Sequence, residues 1–235
     1  MNKKNYFRFL FLELGILLNL HKNLFMEKSK NKNFIYPQLI GFKPIEWLCK
    51  YRKINVYLVW LFYLPVIIIA LIYSLIFVKY AYGFIFLIFL SGIFTWTLVE
   101  YFLHRFVLHF VSETSIIKKV HNFIHGAHHV VPKDLQFVTA SPFVTFPIAL
   151  IFWFLFYQIF GNQLVWSFYA GFGLGYLLYE YVHYAIHKYP QPPYPFLKKL
   201  WINHLKHHYK CPDKRFGVTN TFWDYIFMSN EHIKK

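Results

Sequence analysis

Charge is scarce in this chain. Only 15% of its 235 residues are Asp, Glu, Lys or Arg, against about 25% in a typical soluble domain. Acidic residues are the scarcest part of that, 10 against 25 Lys and Arg. An ordinary water-facing surface cannot be built from so few charges. Cysteine is also rare: Cys49 and Cys211, neither in a CxxC pair. Such usage offers no disulfide framework and reads as two reduced thiols. Low-complexity segments and internal repeats are absent apart from a paired arrangement of apolar runs.

Those runs dominate the chain. Residues 56–78, 80–99 and 142–179 carry no charge at all. About 20 apolar residues suffice to cross the hydrocarbon core as a helix. The last run is long enough for two crossings, with Gly161-Asn162-Gln163 as the turn between them. The expected fold is all-α: an integral membrane bundle of four helices near 56–78, 82–103, 142–160 and 164–183, arranged as two hairpins. Eleven of the basic residues lie in 1–55, four in 104–141 and nine in 184–235, leaving only Lys79 in a predicted outer loop. Four crossings put both termini and the central loop on one side, and the basic bias makes that side cytoplasmic. The net charge of +15 then faces anionic headgroups. A nucleic-acid binder needs a basic groove on a soluble domain, and none is present, so nucleic acid is not an expected partner.

Residues 1–35 stand apart as a basic N-terminal segment, followed by a single domain over 36–235. The apolar stretch 6–20 is short, broken by Glu13, and lacks a cleavage site. It reads either as an interfacial helix or as sequence upstream of a true start at Met26.

Histidine is the unusual abundance, with 13 in all. Ten fall into four groups: His104 and His109 as H-x4-H; His125, His128 and His129 as H-x2-HH; His183 and His187 as H-x3-H; and His204, His207 and His208 as a second H-x2-HH. All four land on the predicted cytoplasmic side, at the ends of spans or in loops. Residues i, i+3 and i+4 share one helix face, so H-x2-HH presents three imidazoles from one stripe. Five positions rotate roughly 140° on a helix of 3.6 residues per turn, so the helix should end or bend between His104 and His109. A zinc site takes about four ligands. Ten imidazoles therefore suit two ions with about five each, of an imidazole-binding kind such as iron. His121 shares a face with His125 and reads as a neighbour of the site; His21 reads as unimportant and His232 as solvated. Gly126 and Ala127 are small enough for close approach, and Pro132 ends any helix there.

Two carboxylates sit beside the histidines. Glu100 lies one turn before His104, and Glu180 lies three residues before His183. Metal-bound imidazole commonly donates its other N–H to a carboxylate, so Glu100 and Glu180 are expected to orient ligands, with Tyr179 next to them. The alternative is a salt bridge to Arg105 or another cation. Phe102, Phe106, Tyr184 and Trp201 either wall a lipid pocket or form an interfacial belt.

The segments "EYFLHRFVLH" (100–109), "HGAHHVVPKD" (125–134), "GYLLYEYVHYAIH" (175–187), "HLKHH" (204–208) and "FGVTNTFWDYIF" (216–227) together resemble the fatty acid hydroxylase superfamily, most closely its fatty acid 2-hydroxylase branch, related to the sterol desaturases. The resemblance covers roughly residues 36–230. It implies a four-helix transmembrane bundle under a cytosolic histidine-rich cap. It also implies a dinuclear metal centre, iron in the working enzyme and zinc as a substitute in purified protein, with the ten grouped histidines at the ligand positions. The implied reaction places a hydroxyl on the acyl carbon next to the carboxyl, free or ceramide-linked, using O2 and two electrons. Yeast and animal members often carry a fused cytochrome b5 domain. This chain has no room for one, so an external donor of cytochrome b5 or ferredoxin type is expected, and a bacterial inner membrane is preferred to the endoplasmic reticulum. Two departures bear on substrate: Tyr179-Glu180 stands where Tyr-Asp is usual, and Leu135-Gln136-Phe137-Val138 leads to Ser141-Pro142 where Arg-Leu-Val and Pro-Pro are common. The rival substrates are a sterol, carotenoid or other lipid, hydroxylated or desaturated. The non-enzymatic rival is a structural zinc site; a transporter would place its ligands near the bilayer midplane.

Overall fold

The computed structural model describes residues 55–110, 114 and 120–230. The expectations for 1–35, Met26, His21, Cys49 and His232 lie outside those residues. Helix α1 (Val56–Phe77) starts where the Asn55 side chain accepts from the Tyr57 N–H at 3.2 Å. Helix α2 (Tyr82–Phe102) runs on into a π-helical turn, Leu103–Leu108. A second π turn, Asn122–Gly126, leads into the short α3 (Ala127–Val130). Helix α4 (Pro142–Lys188) begins with Ser141 accepting from the Phe143 N–H and Pro142 in the first turn, where proline costs nothing because that N–H has no helical partner. Helix α5 (Pro195–Tyr209) and the short α6 (Phe222–Ile226) follow.

Three helical stretches are long and apolar enough to cross a membrane: Val56–Phe77, Tyr82–Leu108 and Leu135–Lys188. The third is 54 residues long, twice what one crossing needs. It is broken at Gly161, where φ is 65° and ψ 178°, a left-handed conformation that favours glycine. The expected hairpin turn is therefore a single-residue break, and four helical segments form the bundle. Tyr169 Oη donates to the Ala149 carbonyl at 2.6 Å across the two arms. The outer surfaces are apolar, with Leu61 71%, Ile69 65% and Phe154 66% exposed, as a lipid-facing bundle requires. Intramembrane hydroxyls turn back onto their own helices: Ser74 donates to Ala70 O, Ser91 to Ile88 O, and Thr95 to Ser91 O. With no water at that depth, internal partners must satisfy them.

The crossing of α2 with the second arm of α4 fixes the bundle. A Cβ on Gly92 would meet the Phe168 carbonyl, and one on Gly171 the Phe89 carbonyl. Glycines at both positions let the two backbones touch, the small-residue packing that substitutes for a hydrophobic drive in lipid. Ser167 Oγ adds a hydrogen bond to Ile85 O at 2.8 Å. Trp96, Phe156, Phe168 and Phe172 fill the core between α2 and the two arms of α4.

Candidate metal centre

The C-terminal ends of α2 and α4 each deliver a histidine pair. His183 and His187 stand one turn apart on α4. His104 and His109 do so by another route: the helix widens into the π turn Leu103–Leu108 and ends there, as the spacing led us to expect, with His109 just beyond it and its N–H bonding back five residues to His104 O at 3.2 Å. A π turn is an insertion into helical geometry that is common at functional sites. Here it turns an H-x4-H spacing into a pair that converges.

The ten grouped histidines gather into two sets. His104, His109, His125, His129 and His207 form one; His128, His183, His187, His204 and His208 form the other. Within each set the candidate ligand nitrogens all lie within 4.8 Å of one another. The two H-x2-HH motifs are divided in opposite senses. In each, the i and i+4 histidines serve one set and the i+3 histidine crosses to the other. His121 joins neither set; its ring lies near the Leu108 carbonyl.

The nitrogens fit a metal ion. The Nε2 atoms of His125 and His129, of His109 and His207, of His187 and His204, and of His204 and His208 are each 3.0 Å apart, and those of His128 and His183 2.9 Å. Each of these pairs lies inside one set. Nitrogens about 2.1 Å from a common ion and at right angles around it would be separated by about 3.0 Å. His104 supplies the orphaned atom that such a site needs. Its Nδ1 donates to the Phe216 carbonyl at 2.6 Å, so its Nε2 is a bare lone pair, buried and without a hydrogen-bond partner.

Electrostatics favour ligation. His128, His204 and His207 have no solvent exposure. Burial first, then the crowd of neighbouring imidazoles, pushes His125, His128, His204 and His208 well below the usual histidine range. His109 is lowered to about 3 and His207 to about 4 by burial. Neutral imidazole is the form that binds metal, so protons do not compete near pH 7.

The carboxylates behave differently from expectation. Glu100 is 2% exposed, yet its partners are backbone, not histidine. It accepts from Val218 N at 2.7 Å, Thr219 N at 2.9 Å and Thr219 Oγ1. Nor does it pair with Arg105, which donates to Tyr101 Oη at 2.7 Å. The carboxylate saturates its oxygens on a loop, and a carbonyl of that loop holds His104. Glu180 lies beside the Tyr176 hydroxyl and the Ala140 N–H, again not on a histidine nitrogen. Tyr179 touches the site directly, its ring stacked on His183 at 5.6 Å between centroids. Phe102 and Phe106 do not share a wall with Tyr184. Phe102 and Phe106 stack on each other on the exposed side, whereas Tyr184 is buried against Val56 and Val138.

Sequence reasoning missed Asp224 and Asn203. Asp224 accepts from Phe216 N at 2.8 Å, Gly217 N at 3.1 Å and Ser229 Oγ at 2.8 Å. Asn203 bonds Gly217 O at 3.1 Å and receives Arg215 at 2.8 Å. The signal for Asp224 was its place as an acid inside the apolar "FGVTNTFWDYIF".

Comparison with known proteins agrees with this geometry. The family model described as Fatty acid hydroxylase matches residues 89–229. A dihydroceramide fatty acyl 2-hydroxylase, FAH1, of Arabidopsis thaliana is 38% identical over 136 residues, 58% of this chain and 57% of that protein. A ceramide very long chain fatty acid hydroxylase, SCS7, of Saccharomyces cerevisiae is 38% identical over 146 residues, covering 60% of this chain and 37% of the relative. Human fatty acid 2-hydroxylase is 31% identical over 142 residues, again 60% of this chain and 38% of the relative. The chain thus spans between about a third and three-fifths of the length of these relatives. A solved structure of full-length scs7p, with only its hydroxylase domain visible, superposes with a TM-score of 0.73 at 32% identity, over 78% of this chain and 69% of that one. On a match that covers more than half its length and takes in every histidine of both sets, the chain belongs to the fatty acid hydroxylase family.

Proposed function

We propose that the protein is a membrane monooxygenase that hydroxylates a fatty acyl chain at the carbon next to the carbonyl. The reaction is R–CH2–CO–X + O2 + 2e⁻ + 2H⁺ → R–CHOH–CO–X + H2O, with X a hydroxyl or the amide of a ceramide. The observation that carries this reading is the division of ten buried or half-buried histidines into two five-nitrogen sets at the membrane end of an apolar bundle. Two metal ions, iron in the working enzyme, would be held by these histidines and would supply the reductive O2 activation and C–H cleavage chemistry that no side chain offers. The chain's own residues do the rest. The histidines present neutral nitrogens and exclude water, and the loop 214–219 fixes the orientation of the His104 and His207 rings. The apolar outer faces of α1, α2 and α4 leave the acyl tail in the bilayer while its head reaches the centre. The ceramide form of X is taken from what the Arabidopsis and yeast relatives are named for. Two electrons come from an external donor of cytochrome b5 or ferredoxin type, and the basic loops set the centre on the cytoplasmic face. The relatives named above are eukaryotic, so the expectation of a bacterial inner membrane draws no support from them.

The test is expression in a host lacking 2-hydroxylated lipids, followed by mass spectrometry of total acyl chains. A gain of one oxygen at the 2-position, absent in His128→Ala, is the expected result. Unchanged lipids from metal-loaded protein supplied with a reduced donor would overturn the assignment.

A further inference from the structure

Two buried carboxylates grip one short loop from opposite sides. Glu100, on α2, takes the N–H groups of Val218 and Thr219. Asp224, on α6, takes those of Phe216 and Gly217. Ahead of these four residues the backbone reverses at Arg215, which has a φ of +62°, a region that L side chains enter only when the surroundings enforce it. The carbonyls on either side of that reversal both serve histidines. Lys214 O accepts from His207 Nδ1 at 2.6 Å, and Phe216 O from His104 Nδ1 at 2.6 Å. A carbonyl can only accept, so both rings are locked with the proton on Nδ1 and a lone pair on Nε2.

His104 and His207 belong to the same set of five. Among the described residues, no histidine of the other set bonds to this loop; His183 Nε2, for example, lies 2.9 Å from His128 Nε2 of its own set. Asp224 is aligned in turn by a chain of donors. Arg105 donates to Tyr101 Oη at 2.7 Å, Tyr101 lies 2.8 Å from Ser229 Oγ, and Ser229 donates to Asp224 at 2.8 Å. Because Ser229 spends its proton on Asp224, Tyr101 donates to Ser229, and every step runs in one direction.

We propose that Asp224, with Glu100 opposite it, is a positioning residue for one metal ion and not for the other. The clamp holds the loop, the loop holds two of the five rings of the first set, and the second set is oriented independently. This rests on the metal-centre reading above.

The experiment follows zinc release from the zinc-loaded full chain in detergent micelles on addition of a chelator. Outer partners of ligating histidines typically govern affinity by about 10–100-fold. In Asp224→Asn one of the two zinc ions should therefore leave faster by about that factor, and the other at the wild-type rate. Glu100→Gln should act in the same direction. The unchanged ion reports that the bundle is folded in the same sample. Adding Asp224→Asn to His129→Ala should leave the slow ion unchanged, whereas adding it to His208→Ala should loosen both. Acceleration of both ions alike in Asp224→Asn, loss of both, or no acceleration overturns the proposal. Wild-type protein that takes up no zinc overturns the metal centre itself, a separate and recognisable failure.

Discussion

Replacing Gly171 with alanine tests whether a helix crossing inside the membrane controls the chemistry at its edge. Helix α2 leads to His104 and His109, and the second arm of α4 carries His183 and His187, so the distance between the two histidine sets depends on how these helices cross. A Cβ on Gly171 would overlap the Phe89 carbonyl oxygen and sit 2.8 Å from its carbon. The obstacle is backbone, so no rotamer change relieves it, and the helices must part by on the order of 1 Å where small residues had let them touch. Overpacking of this kind costs about 1–3 kcal/mol. At about 2–4 °C per kcal/mol for a chain of this size, Tm should fall by about 2–12 °C. The effect on turnover should be larger, since a displacement of about 1 Å in reacting geometry can cost about 100-fold. The assay is thermal unfolding of purified protein alongside 2-hydroxy acyl product measured by mass spectrometry. Gly173→Ala is the control, because its Cβ would meet only the Ile67 side chain, at 3.0 and 3.2 Å, and that side chain can move. Equal Tm and equal product for the two variants would refute the reasoning.

Two further predictions concern the histidines. His128→Ala and His129→Ala change adjacent residues but opposite sets, so each should loosen a different ion. Pairing His128→Ala with His208→Ala should be strongly non-additive in metal content, while pairing it with His207→Ala should deplete both ions. Metal-free protein should lose stability as pH falls. Burial holds His109 at about 3 and His207 at about 4 in the folded chain, against about 6.5 for an unfolded histidine. The unfolded state therefore binds protons first below pH 6.5, and each such histidine withdraws about 1.4 kcal/mol per pH unit until its own folded value is reached. A denaturation series on chelator-treated protein between pH 7 and pH 4 should show the decline, and zinc reloading should suppress it near neutrality. A flat profile would contradict the buried, neutral state of these rings.

Much of the molecule was legible in the chain because membrane burial leaves a coarse signature. Charge-free runs of about 20 residues mean spans, and clustered imidazoles at the ends of those runs mean a site at one face. The turn at Gly161 was readable because Gly161-Asn162-Gln163 is a polar, turn-forming break in an otherwise apolar run. Local spacing could not reveal the π turn at His104 to His109: sequence periodicity assumes 3.6 residues per turn, and a widened turn is stabilised by what it packs against. The route by which Glu100 reaches the histidines was misjudged for a related reason. Its nearness to His104 in sequence suggested a direct contact, but its oxygens are filled by Val218 and Thr219, more than a hundred residues further on.

The sequence by itself determined the class of the protein, its spans, that the histidines lie at one end of those spans and which ten cluster, since each follows from composition and local spacing. Only the tertiary structure decided how those ten divide. That His128 leaves its neighbours to join His204 and His208, while His207 crosses the other way, depends on how three chain segments meet in space. So does the grip of Glu100 and Asp224 on the loop that orients His104 and His207. Coordination is a property of distances between side chains, and between segments far apart in the chain those distances exist only once the helices have packed.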